Sequence, residues 1–106
     1  MKKHTKIYFN FFDYIADDFI PCEVCQAKAV DIHHIEARGM GGSNKDRIEN
    51  LMAVCRKCHL DYGDKKKYLE WLKKIHSEKI KEQATRVWAA ESSLQILRNQ
   101  TPQNIL

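Results

Sequence analysis

Four cysteines, arranged as two Cys-x-x-Cys pairs, are the residues whose types and spacing most clearly indicate chemistry in this chain. Two residues between paired cysteines allow one turn to present both sulfurs to a single ion, and four thiolates complete a tetrahedral zinc sphere. Because a complete sphere leaves no position for water or substrate, the pattern predicts a structural zinc ion. Four free thiols in a core, or disulfides, are the alternative interpretations. The cysteines are Cys22, Cys25, Cys55 and Cys58.

Three histidines lie between or directly after the cysteine pairs and could form a second site. His33 and His34 are adjacent, and His59 follows the second pair. Imidazole titrates near neutral pH and binds transition metals, so these side chains could accept a proton or hold an ion. The two remaining histidines, His4 and His76, have no evident partner in the sequence, and we expect them at the surface.

Two short strands and a loop must position the histidines. Residues 28–35 contain β-branched side chains and show no helical period, which favours a strand, and residues 51–54 favour a second one. Residues 38–44 are rich in turn formers and predict the connecting loop. Because neighbouring side chains of a strand point to opposite sides, His33 and His34 reach one site only if the strand ends or twists there.

Helices are predicted on either side of this core. Apolar residues at helical spacing indicate a helix over 7–20, which Pro21 would end. A helix should begin at Cys55 and run to about residue 62. A longer, lysine-rich helix is predicted over 64–98. The apolar residues of the first helix are Tyr8, Phe11, Phe12, Ile15 and Phe19.

Length and composition set the outer limits. The 106 residues suggest one domain, and a net charge of +4 agrees weakly with an anionic partner. The basic start of the chain resembles a secretory signal, but Asp13, Asp17 and Asp18 interrupt its apolar stretch. We therefore expect a cytoplasmic, intracellular protein without a membrane span. In a reducing compartment the cysteine pairs indicate metal ligands before disulfides.

The segment from Asp31 to Ile35 (DIHHI), followed by Asn50-Leu51 and by Cys55-x-x-Cys58-His59, resembles the HNH nucleases, in particular their zinc-bearing CxxC branch in bacteria and phages. The resemblance covers residues 22–62. It implies an α+β fold with a small ββα-metal core and a structural zinc site. The predicted N-terminal and C-terminal helices would flank that core.

The resemblance also implies roles for single residues. His34 would be the general base, whose tautomer a backbone carbonyl could set. His33 and His59 would bind a catalytic divalent metal, and Asn50 would bond across the loop and fix His34. A further histidine ligand in colicin-type relatives is replaced here by Gly63, which leaves two protein ligands and favours magnesium or manganese. Imidazole also suits nickel or zinc. Asp31 would either orient His33 or be an ordinary exposed residue.

The function implied is metal-dependent hydrolysis of DNA, most simply double-stranded, to give a 5′-phosphate and a 3′-hydroxyl. Arg38, Arg47 and Arg56 are candidates for binding phosphate. A homodimer, or two successive encounters, would be needed to cut both strands. Two alternatives stay open: a zinc-stabilised nucleic-acid-binding module without catalysis, and an interaction protein that docks through its C-terminal helix.

Overall fold

A two-stranded antiparallel sheet lies at the centre of the computed structural model, which describes residues 1–37 and 44–105, with side chains as far as residue 89. Strand β1 is Asp31–His34 and strand β2 is Leu51–Val54. The register pairs Asp31 with Val54 and His34 with Leu51. The second strand lies where the sequence predicts it. The first is shorter than 28–35, although the Val30 N–H still donates to the Val54 carbonyl at 3.0 Å.

The first helix, α1, is Lys3–Phe12, so the predicted range of 7–20 is wrong at both ends. The helix ends at Asp13, whose left-handed backbone (φ 60°) lets its N–H reach back to the Phe9 carbonyl. Ile15 and Phe19 therefore lie beyond the helix and are exposed, while Tyr8 and Phe12 carry the buried face. An early C-terminal cap, and not Pro21, ends this helix.

The chain after β2 is helical but irregular. A short helical turn, α2, covers Arg56–Cys58 and continues as a π-helical turn over His59–Gly63. A 3₁₀ turn at Lys66–Tyr68 precedes the long helix α3, Leu69–Ile105, which begins later than the predicted 64. In the part of the chain that the structure describes, no helix combines the length and the apolar character that a membrane span requires.

Strand β2 divides the hydrophobic core into two clusters because its side chains alternate. Met52 and Val54 pack with the buried cysteines and with Leu72 of α3. Leu51 and Ala53 face the other side and pack with the aromatic residues of α1. The sheet is thus covered on both faces, and the arrangement is the expected α+β, ββα-like one. The N-terminal helix packs on the sheet face to which His34 points, as described below.

A buried carboxylate in the first cysteine turn connects three elements. Glu23 Oε2 accepts from the Tyr8 hydroxyl at 2.6 Å and from the Ala53 N–H at 3.3 Å, and Oε1 lies 2.8 Å from His76 Nδ1. The other ring nitrogen of His76 bonds the Ile48 carbonyl. The prediction that His76 lies at the surface is therefore wrong, since it is only 1% exposed. Burial and the Glu23 carboxylate together raise the pKa of Tyr8 well above its ordinary value.

Candidate active site

The four cysteines come together at one point beneath the sheet. Their sulfurs all lie within 4.8 Å of one another, and the sulfurs of Cys25 and Cys55 are 3.6 Å apart. Tetrahedral zinc with bonds of about 2.3 Å places its sulfurs about 3.8 Å apart, so the cluster has the size that such an ion needs. The Cys58 N–H, 3.4 Å from the Cys55 sulfur, lowers the pKa of Cys55 to about 7, whereas burial raises the pKa of Cys58. Without an ion the cluster thus favours one thiolate, at Cys55, and the support for zinc is the spacing of the four sulfurs. The cluster could therefore hold zinc.

The adjacent histidines of β1 point to opposite faces of the sheet and enter two different groups. His33 is buried and its ring lies 4.7 Å from that of His59, centroid to centroid. The ring of His34 lies 4.7 Å from that of His4 on α1. The expectation that His33 and His34 share one site is thus replaced by two neighbouring groups at the end of a single strand.

The first group has the composition of a metal site: His33, His59 and Asp64 offer ligand atoms within 4.8 Å of one another. Burial, and then the neighbouring His59, lower the pKa of His33, so the ring is neutral at pH 7 as metal binding requires. The residues of this group therefore fit a divalent ion. A site with imidazole and carboxylate ligands binds manganese, nickel or zinc better than a site with oxygen ligands alone does.

Asp31 orients one of these ligands, although a different one from that expected. Its Oδ2 lies 3.0 Å from His59 Nδ1, so the sequence-based pairing with His33 is wrong. The bond directs the opposite ring nitrogen of His59 towards the group, which is the usual arrangement of metal-binding histidines. Arg56 Nη2 lies 3.7 Å from the other Asp31 oxygen.

The π-helical turn explains why the sequence did not predict Asp64 as a member of the metal group. In an α-helix, residues four apart share a face, and the residue four after His59 is Gly63. A π turn contains one additional residue, so the fifth position, Asp64, comes to the same face as His59. The sequence shows an acidic residue directly after the expected position, but no local pattern announces the wider turn.

Gly63 is required by close packing of the two imidazoles. A Cβ at this position would lie 2.6 Å from His59 Cδ2 and 3.4 Å from His33 Cε1. The Gly63 carbonyl also accepts from His33 Nε2 at 2.7 Å, so His33 would bind an ion through Nδ1, or through Nε2 only once this hydrogen bond is broken. The residue that replaces the expected histidine ligand thus lets the backbone pass directly beside both rings.

The second group surrounds His34. Its Nε2 lies 2.7 Å from Asp46 Oδ1, and the Asp46 side chain is only 4% exposed. A side-chain carboxylate therefore occupies the place that the sequence analysis gave to a backbone carbonyl. With Nε2–H donated to Asp46, the lone pair of His34 lies on Nδ1. The structure also corrects the expectation for His4, which is half-buried against His34.

Asn50 closes the loop between the strands from a nearly fully buried position. Its Oδ1 accepts from the Glu36 N–H at 2.7 Å, and its Nδ2 donates to the carbonyls of Glu36 and Lys45, each at 3.0 Å. These bonds cross the loop as predicted. They hold Glu36, two residues after His34, and Lys45, next to Asp46, so Asn50 fixes both sides of the His34–Asp46 pair from a distance.

The three arginines predicted as candidates for phosphate binding lie in different surroundings or outside the described residues. Arg38 lies outside the described residues. Arg47 and Arg56 are exposed, and Arg56 is the one that lies beside the metal group, through Asp31.

Comparison with known proteins identifies a related family. The family model described as HNH endonuclease matches residues 22–65, which include both cysteine pairs, both strands and the π turn. No curated protein and no solved structure matches the chain.

Proposed function

We propose, from the match of residues 22–65 to the HNH endonuclease family model, that the protein is a metal-dependent endonuclease that hydrolyses phosphodiester bonds in DNA. The observation that carries the proposal is the arrangement at the end of β1. A three-residue metal group (His33, His59 and Asp64) lies on one side of the strand, and a histidine paired with a buried carboxylate, His34 with Asp46, lies on the other. The proposal therefore requires the scissile phosphate to lie across the end of β1, within reach of both groups.

His34 is the general base in this proposal. The bond to Asp46 holds the proton of the neutral ring on Nε2, so Nδ1 is the atom that accepts a proton from the attacking water. The water oxygen then bonds to phosphorus, and the bond from phosphorus to the 3′-oxygen breaks. The products are a 5′-phosphate and a 3′-oxygen that takes up a proton to become a hydroxyl.

His33, His59 and Asp64 would hold magnesium or manganese, and imidazole also suits nickel or zinc. When bound, such an ion stabilises the negative charge that develops on the phosphate and on the leaving oxygen. Asp31 keeps His59 in its ligating orientation, and Gly63 allows the two rings to approach each other. The sulfur cluster would carry a separate, structural zinc ion.

A recess beside the metal group offers three lysines to a DNA backbone. The cavity of about 440 Å³ is lined by Lys45, Lys65 and Lys66, by the acidic Glu36 and Asp64, and otherwise by glycine and apolar residues. Lysines in a recess next to the site of cleavage would bind the phosphates that flank the scissile one, with an affinity that falls as salt rises. Arg47 and Arg56 remain candidates for the same role.

A plasmid-nicking assay with magnesium or manganese tests this function. His34→Ala should abolish nicking while the zinc content and the melting temperature stay those of the wild type. Lys57→Ala, which changes an exposed residue of α2, is the control and should nick normally. DNA binding without cleavage across several metals would support the binding module instead. The absence of both cleavage and binding would support an interaction protein.

Asp64→Asn tests the metal group separately. Asp64 is exposed, so its replacement should leave the fold intact. Loss of one ligand out of three should weaken manganese binding by about tenfold or more, since even supporting residues commonly matter that much. Calorimetric titration of manganese gives the affinity, and an affinity equal to that of the wild type would remove Asp64 from the site.

A further inference from the structure

The N-terminal helix brings a histidine to the proposed general base from outside the HNH segment. His4 lies on α1, and its ring is 4.7 Å from that of His34 with an angle of 58° between the planes. Residue 4 precedes the matched segment 22–65. The hydrolysis described above uses His34 and Asp46 and gives His4 no part.

The three side chains together have the composition of a second metal site. His4, His34 and Asp46 offer ligand atoms that lie within 4.8 Å of one another. They come from three different parts of the chain: α1, β1 and the segment that leads to β2. Two imidazoles and one carboxylate are the protein ligands of many zinc sites, which leave a fourth position for water. The group is largely shielded, since the side chains of His34 and Asp46 are 14% and 4% exposed.

We propose that His4, His34 and Asp46 bind a transition-metal ion of the zinc class, and that this ion inhibits the endonuclease. The nitrogen of His34 that faces Asp46 is Nε2. An ion between Nε2 and the carboxylate displaces the Nε2 proton, and the neutral ring then carries its one proton on Nδ1. Nδ1 is the atom that accepts the proton of water in the proposed function, so the base is inactive while the ion is bound. The inhibition rests on that proposed function, whereas the binding of the ion does not.

Stoichiometry of zinc binding tests the site itself. The protein is dialysed against buffered micromolar zinc, and the metal bound per chain is measured by mass spectrometry. His4→Gln should bind one zinc ion fewer than the wild type. Lys6→Gln, an exposed residue of the same helix, is the matched control and should bind as many as the wild type. Equal zinc content in His4→Gln and the wild type would overturn the proposal.

His59→Gln separates this site from the proposed catalytic one. This variant should also lose one ion, and the double variant with His4→Gln should lose two, because the two groups share no ligand. If His59→Gln loses an ion and His4→Gln does not, the second site is refuted and the catalytic site stands. If only His4→Gln loses an ion, the second site stands and the catalytic one fails. Should His4→Gln not fold, ring resonances of the wild type decide: zinc must shift those of His4 and His34 together.

Nicking in the presence of manganese and increasing zinc tests the inhibition. Each variant is normalised to its own rate without added zinc. We expect the zinc concentration for half-inhibition to be about tenfold or more higher in His4→Gln than in the wild type and in Lys6→Gln. Equal half-inhibition in all three proteins would show that zinc acts elsewhere, for example by replacing manganese at His33 and His59, and would refute inhibition through His34.

Discussion

Replacing Gly63 by alanine is the smallest change that disturbs the proposed metal group. The new Cβ would lie 2.6 Å from His59 Cδ2. This is about 0.9 Å closer than an ordinary carbon–carbon contact of about 3.5 Å. The His33 ring is buried and would be 3.4 Å away, at the edge of ordinary van der Waals contact, so the clash is with His59 alone. Either the His59 ring or the π turn must therefore move.

The expected effects follow from that displacement. Overpacking of this kind costs about 1–3 kcal/mol of stability. A displacement of about 1 Å at a reacting group can cost about 100-fold in rate, so nicking with manganese should fall by about that factor. Manganese affinity should fall as well, because His59 would lose its fixed orientation from Asp31.

Three measurements on the same variant test this reasoning. Urea unfolding gives the stability, calorimetry gives the manganese affinity, and plasmid nicking gives the rate. Asp61→Ala is the control, since it changes an exposed side chain of the same π turn. If Gly63→Ala binds manganese and nicks DNA as the wild type does, the close approach of the turn to the two imidazoles has no functional importance, and the assigned geometry is wrong.

Three further substitutions test the scaffold. Cys55→Ser should release zinc and unfold the domain, because zinc binding and folding are coupled. If mass spectrometry shows unchanged zinc content and the melting temperature is also unchanged, the structural zinc site is refuted. Asn50→Ala removes three part-buried hydrogen bonds of a buried side chain and should cost about 2–4 kcal/mol in urea unfolding, whereas an effect below about 0.5 kcal/mol would contradict its bridging role. Tyr8→Phe removes a hydroxyl bonded to a buried carboxylate and should cost about 1.5–3 kcal/mol at pH 7. Because the pKa of Tyr8 is raised in the folded protein, the stabilising contribution of its hydroxyl is complete below about pH 10 and is lost as the pH rises further. The difference in unfolding free energy between wild type and Tyr8→Phe should therefore narrow at about pH 11. An unchanged difference would refute the pKa shift.

Local patterns predicted the parts of this molecule that local physics determines. The cysteine spacing predicted four sulfurs close together, as they are, and the apolar run at 51–54 predicted the strand β2, which the structure shows to be buried on both faces. The alternation of β1 correctly placed His33 and His34 on opposite sides. The strand patterns involve residues within a few positions of one another, whereas the two cysteine pairs are 30 residues apart and were linked only by the ion that four thiols predict.

Features that depend on distant packing escaped prediction. His76 is buried because Glu23 and the Ile48 carbonyl meet it from other elements, and nothing near His76 in the sequence indicates this. Asp64 joins the metal group only because the helical turn widens by one residue. The end of α1 at Asp13 depends on one left-handed residue that no glycine marks. In each case a tertiary contact or an uncommon backbone conformation decided the outcome.

The position of a manganese ion in crystals of the zinc-loaded protein tests the central claim most directly. Anomalous scattering at the manganese edge distinguishes this ion from the zinc held by sulfur. We predict a manganese peak within bonding distance of His33, His59 and Asp64, separate from the sulfur cluster. The assignment of the catalytic metal site would be contradicted by manganese bound only at other residues. It would also be contradicted if the protein nicks DNA with manganese in solution but its crystals contain no manganese.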